Sequence, residues 1–340
     1  MDEKYGENRT RKNINYGISI LRVVLSLMVV IDHFYRNKRR YISILYYHIP
    51  TFFLISSYYT YNTFSKKDIS KIKLRFARII IPYFGWSVIS FILSNIYFYL
   101  FKDNTHHNFQ SFLINIISGR IFINALWLQN ILIFISLVFS IIVFSFKKNL
   151  LIFQILFIIC YYLQYSGFNF YYFKRKYSHL FYYTYGRVAE VFPNAITGYF
   201  LAYFKIYEIS LRNRTSVIII SLFSLAFVTQ NNLDKQLMTF RYGGLRKNIA
   251  AACIFLIFLL LPLEKIKSKK IYKIIDIFTG YTAGIYFSHL LIGKGKIMNF
   301  ILDKKINDFI GCILIYTISF IASYFFGNLF HKTKLVHMFK

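Results

Sequence analysis

An all-α, polytopic membrane bundle of about ten transmembrane helices is the fold the sequence predicts, and three observations predict it. The 340 residues are 56% apolar or aromatic, with a mean hydropathy of +0.46. Only 16% are charged, yet 42 Lys and Arg against 13 Asp and Glu leave a net charge of +29. Apolar runs near the ~20 residues that cross a bilayer recur along the whole chain. A soluble protein this basic would be a nucleic-acid binder, but no base-reading basic helix or RNA-binding aromatic motif is visible. The basic residues flank apolar runs, where they set membrane orientation. The expected partner is therefore the lipid bilayer, and no nucleic acid.

The first run, 17–35 (GISILRVVLSLMVVIDHFY), follows a polar leader with Asp2, Glu3 and Glu7 and contains Arg22, Asp32 and His33. A cleavable signal peptide needs a cleaner apolar core and a small-residue cleavage site, so this helix is expected to stay. Further spans are expected at 42–64 and 79–101, divided by the basic block KKDISKIKLRFAR. Residues 109–119 (FQSFLINIISG) are too short to cross and read as an interfacial or re-entrant helix. Spans at 125–146, 149–166, 185–207, 215–230, 248–263, 273–292 and 309–330 complete the set. Residues 1–16 then form an N-terminal tail, 17–331 the transmembrane domain and 332–340 a C-terminal tail. Both tails are placed in the cytoplasm of a multi-pass cell-membrane protein, because KKDISKIKLRFAR and EKIKSKKIYK then share the inner side. RNKRR at 36–40 is the main contrary block.

Cys160, Cys253 and Cys312 are far apart in apolar runs, which gives neither a disulfide framework nor a CxxC metal signature. They read as buried filler. His106 and His107 are adjacent without a third ligand, so no metal is expected.

Charge inside a span is expensive and marks functional candidates. Arg22 and His33 are eleven positions apart, only about 20° past three full helical turns, so they share a face about 16 Å apart along the axis. Arg22 either works on that face or snorkels to the inner headgroups. Asp32 lies about 100° from His33 and is placed to pair with Arg36 at i, i+4. Arg75 and Arg78, at i, i+3, put two guanidiniums on one face at the inner mouth of the third span. Pro82 leaves the Arg78 carbonyl without its helical donor and is expected to kink the helix there. Two forked cations suit the phosphates of a nucleotide-bearing cofactor, and positive-inside anchoring is the plainer reading. Glu190 either orients a base or pairs with Arg187 at i, i+3. His289 is either part of the site or an ordinary hydrogen-bonded histidine.

These residues resemble the acyltransferase-3 family of integral-membrane O-acyltransferases. Arg22 and His33 match its R-x10-H pair, PTFFLISSYYTY at 50–61 is similar to its second-span motif, and Arg75 and Arg78 match its R-x-x-R pair before IPYF at 81–84. Looser similarity runs through ALWLQNILIF, RVAEVFPNAITGYFLAYF and GYTAGIYFSHLLI, with Ser57 standing where the family has Gly. The resemblance implies transfer of an acyl group, commonly acetyl, from acetyl-CoA or another acyl-CoA to a hydroxyl of a cell-envelope carbohydrate or lipid-linked sugar. It implies donor binding by Arg22, Arg75 and Arg78, and catalysis involving His33, Glu190 and His289, with His33 as base or acyl carrier. Expected partners are the acyl-CoA, the glycan or glycolipid acceptor and glycan-synthesis proteins. The rival reading is an exporter or flippase of envelope glycan; the lack of a second copy of R-x10-H or FARIIIPYF, hence of an internal repeat, speaks against it.

Overall fold

The computed structural model describes residues 15–34, 47–66, 68–101, 108–118, 127–145, 150–165, 179–230, 244–263, 269–293 and 308–339. Within them lie twelve α-helices and two 3-10 segments, so the all-α class holds. α1 (Tyr16–Phe34) starts where the Asn15 Oδ1 accepts the Ile18 N–H at 3.1 Å, an N-cap that satisfies one orphan donor. The same side chain donates from Nδ2 to the Leu259 carbonyl at 2.9 Å and so pins the helix start to a distant part of the chain. α2 (His48–Phe64) is followed by α3 (Ile69–Phe101), which Asp68 caps by accepting the Ser70 and Lys71 N–H groups at 3.1 and 3.2 Å.

α3 differs from the expected span. It begins at Ile69 rather than 79, so Arg75 and Arg78 sit within its early turns and not ahead of the helix. Lysines and arginines there lower the hydropathy without lowering helix propensity, which hides the true start. The helix continues through Pro82, where the missing N–H leaves the Arg78 carbonyl without its i+4 donor. α4 (Phe109–Ser118) is the short helix expected, and its Phe112 ring lies 4.6 Å from Phe91 of α3.

α5 (Trp127–Ser145), α6 (Leu150–Tyr165) and α7 (His179–Tyr203) follow, then a 3-10 turn at Ile206–Glu208, α8 (Leu211–Gln230) and α9 (Leu245–Leu260). The expected single span at 273–292 is two helices, α10 (Lys269–Gly280) and α11 (Thr282–Gly293). The break is a tight turn in which the Tyr281 N–H bonds to the Phe278 carbonyl at 3.2 Å, and it frees Thr282 to begin a new helix against α1. α12 (Asp308–Leu329) and a 3-10 segment, Lys334–Met338, close the described chain.

Among the described residues three helices are long and apolar enough to cross a membrane: Tyr16–Phe34, Ile69–Leu93 within α3 and Phe309–Leu329 within α12. Leu128–Phe144 and Leu150–Tyr162 are apolar but shorter. The count of about ten is not reached among the described residues. α2, α6 and α9 have 17, 16 and 16 residues, and α10 and α11 have 12 each. The surface is nonetheless that of a lipid-facing protein, with Phe223, Ile158 and Phe227 on the outside and aliphatic and aromatic side chains along the outer faces of α3, α6, α8 and α12.

The core explains which helices must touch. A Cβ on Gly198 of α7 would lie 2.1 Å from the Leu54 carbonyl oxygen of α2, so only glycine permits that crossing. Ser57 itself is buried on α2, and the close approach of the two helices is supplied from the α7 side. Phe139, Phe153 and Tyr199 bind α5, α6 and α7 together, with the Phe153 and Tyr199 rings stacked at 4.1 Å. Met338 and Phe339 are buried against α3, α11 and α12, where the Trp86 Nε1–H donates to the Met338 carbonyl at 2.9 Å. The three cysteines are buried and form no disulfide among the described residues, and their burial matches their apolar surroundings in the chain.

Candidate active site

α1, α2, α3, α5 and α11 enclose a cavity of about 650 Å³, within the usual ~300–1,000 Å³ of small-molecule sites. Arg22, Arg75, Arg78 and Lys71 line it, and among the described residues no carboxylate does. Arg22, on α1, donates from Nη2 to the Thr282 hydroxyl at 3.1 Å, and Thr282 in turn donates to the Thr279 carbonyl at 3.0 Å. The α10–α11 break therefore holds Arg22 in the cavity wall. Arg75 donates from Nη2 to both the carbonyl and the hydroxyl of Ser56 on α2, at 2.8 and 2.9 Å. Its buried Nε has no partner among the described residues.

Arg78 is exposed one turn further along α3 and lines the same cavity, so its guanidinium is the most available of the three. Lys71 pairs with Asp68 at 2.8 Å on the exposed rim, where such a pair is weak. Beyond Arg78 stands His337 of the C-terminal 3-10 segment. Burial, and secondarily the Arg78 guanidinium, hold this imidazole below the ordinary histidine range.

Several lining groups fall inside the motifs quoted from the sequence without being singled out there as site residues. Ser56 and Thr282 hold the arginines, Tyr59 stands beside Arg22, and Phe52 and Tyr286 close the wall away from the basic rim. Gln129, in the first turn of α5, is 6% exposed and its Oε1 has no partner among the described residues, which leaves a hydrogen-bond acceptor in the wall. A lone neutral polar residue in the apolar run ALWLQNILIF is the signal that could have found it.

A second group lies further along α1 and α11. His33 and His289 have ring centroids 5.2 Å apart, and His48 at the start of α2 interacts electrostatically with His289. His289 is wholly buried; its Nδ1 lies 3.1 Å from the Ile285 carbonyl oxygen. A carbonyl can only accept, so Nδ1 carries the proton and Nε2 presents its lone pair. That Nε2 has no hydrogen-bond partner among the described residues. His33, by contrast, is exposed near the end of α1. Arg22 and His33 thus do share a helix with both groups, one at the cavity and one at the imidazole pair.

Glu190 is half-buried on α7 and does not line the cavity. Asp32 is buried at 3% exposure, while Arg36, its expected partner, lies outside the described residues, as do His106, His107 and the RNKRR block. No group of three or more His, Cys, Asp or Glu that could hold a metal occurs among the described residues.

The described chain is all-α, with membrane-length helices, a cation-lined cavity and an imidazole pair on α1 and α11. The particular family follows from the sequence match: the Acyl_transf_3 model, described as an acyltransferase domain, matches residues 15–331, and the chain belongs to that family. No curated protein and no solved structure matches it. Membership makes the chain a membrane acyltransferase and implies an acyl donor.

Proposed function

We propose that the protein moves an acetyl group from acetyl-CoA to a hydroxyl of a cell-envelope carbohydrate or lipid-linked sugar. The observation that carries this reading is the cavity: four cations and, among the described residues, no carboxylate line a chamber that approaches a histidine pair along α1 and α11. Such a lining selects a polyanion, and coenzyme A has phosphates at one end and the thioester at the other. Arg22, Arg75 and Arg78 hold the phosphates through charge-assisted hydrogen bonds. The Gln129 Oε1 accepts an amide N–H of the donor's pantetheine arm.

In this reading His33 is the base. The acceptor hydroxyl gives its proton to the His33 imidazole as its oxygen attacks the thioester carbonyl. The carbon–sulfur bond breaks, and the departing thiolate takes that proton back, leaving an ester and free coenzyme A. The His289 Nε2 lone pair stabilises the His33 imidazolium, and the Ile285 carbonyl keeps His289 in the tautomer that can do so. Glu190 has no assigned step. The donor enters from the cytoplasm, with both chain termini on that side and the acceptor reaching exposed His33 from the other.

The test is transfer in vesicles holding the purified protein and a lipid-linked glycan extract. Radiolabelled acetyl-CoA supplied to the side that carries Ser70 should label the glycan, with that side identified by impermeant thiol labelling of a Ser70→Cys variant. Labelling only from the opposite side would contradict donor entry at the arginine end, and no labelling from either side would sink the acyl-CoA reading.

A further inference from the structure

Neither His33 nor His289 lines the cavity. Phe52 of α2 and Tyr286 of α11 both line the cavity, and their rings meet edge to face at 6.2 Å. Tyr286 is 6% exposed, and its ring also neighbours His289, 5.9 Å away. His289 has no exposed surface at all. On α11 the order is Thr282 at the arginines, Tyr286 one turn on, and His289 nearly one further turn on. A thioester arriving from the arginine end therefore meets the Phe52–Tyr286 pair before it meets an imidazole.

We infer that Phe52 and Tyr286 form an aromatic constriction that sets which acyl groups reach the histidines. The inference rests on the acyl-CoA reading above and adds a specificity determinant to it. Edge-to-face rings at this separation leave no standing gap, so each transfer requires a side-chain rotation. The rotation needed grows with the acyl chain. Acetyl passes with the smallest displacement, and each added methylene must be accommodated between the rings and the packed wall behind them. Phe52 is the movable member, since it is only partly buried, whereas Tyr286 is packed into the core. The same closure keeps water from the donor side away from His289 while no donor is present.

The bond changes stay the same: the acceptor oxygen takes the acyl carbon, the thiolate leaves, and the proton passes through His33. The constriction contributes no group to them. It acts on which donor arrives.

Initial rates of transfer from acetyl-, propionyl- and butyryl-CoA provide the test. The wild type should use acetyl-CoA at least ~10-fold better than butyryl-CoA by kcat/KM, since one or two methylenes in a tight apolar passage are worth about that much. Phe52→Ala should raise the butyryl-to-acetyl ratio by about 10-fold or more, and Phe52→Trp should lower the propionyl-to-acetyl ratio. A role in packing alone would slow all three donors together. A wild type that takes butyryl as readily as acetyl overturns the constriction even if neither variant folds. Ratios unchanged in folded variants overturn it too, while acetyl transfer by the wild type leaves the underlying function standing. A wild type that transfers no acyl group from any acyl-CoA overturns both.

Discussion

Replacing His33 with Ala is expected to lower acyl transfer by about 10²–10⁴-fold, the range a positioned general base supplies, while the protein still inserts and binds coenzyme A. His33 is exposed near the end of α1 and is not part of the buried core, so its loss costs little packing. His289 is different: it is wholly buried, and a small side chain there would leave a cavity. His289→Leu fills the space but removes the Nε2 lone pair. Its kcat should fall with the donor KM unchanged, because the arginines of the cavity lie two turns away along α11. Initial rates on detergent-purified variants, together with their elution as monodisperse protein, check both statements. Full activity in His33→Ala would remove that residue from the mechanism.

The second large effect is on donor binding. Arg78→Ala should weaken coenzyme A binding by about 10–100-fold, the equivalent of one charge-assisted hydrogen bond to phosphate at ~1.5–3 kcal/mol. Arg78→Lys should recover only part of this, since an ammonium keeps the charge and loses the planar fork. Arg75 should behave in another way. Its Nη2 already holds the Ser56 carbonyl and hydroxyl, so Arg75→Ala also breaks the α2–α3 junction and should lower thermal stability together with affinity. Calorimetric titration with coenzyme A and thermal unfolding of the same samples separate the two arginines. Unchanged affinity in both Ala variants would mean that the phosphates bind elsewhere.

Much of this arrangement is legible in the sequence. The R-x10-H spacing places Arg22 and His33 on one helix face, and α1 spans both as a single helix. The i, i+3 spacing places Arg75 and Arg78 together, and both reach one cavity. What stays hidden has identifiable causes. The first ten residues of α3 carry Lys71, Lys73, Arg75 and Arg78, and a charged helix does not read as a span even when it is continuous with one. The break at Tyr281 is masked because Gly280 and Thr282 sit in an apolar run whose hydropathy does not change across the turn. That break matters most for the site, since Thr282 is the residue that holds Arg22.

Residues that act through one neutral hydrogen bond, such as Ser56 and Thr282, have no spacing signature in a single sequence. The burial of Met338 and Phe339 is equally unreadable, because a short polar-flanked segment following the last apolar run looks like a tail. Both depend on which helices meet, and that is decided by close approaches such as Gly198 against Leu54 rather than by local pattern. The His33–His289 contact belongs to the same class. Depth along two helices suggests a similar level for the rings, and only the packing of α1 on α11 brings them to 5.2 Å.

In the proposed complex an acyl-CoA lies in the arginine cavity with its thioester end toward Tyr286 and the histidine pair. A cryo-electron-microscopy structure of the protein with coenzyme A tests it most directly. Phosphate density is expected against Arg22, Arg75 and Arg78, with the pantetheine arm passing Gln129 and the thiol at the Phe52–Tyr286 constriction. Coenzyme A bound outside this cavity, or seated in it with the thiol pointing back toward Lys71, would rule out this donor site.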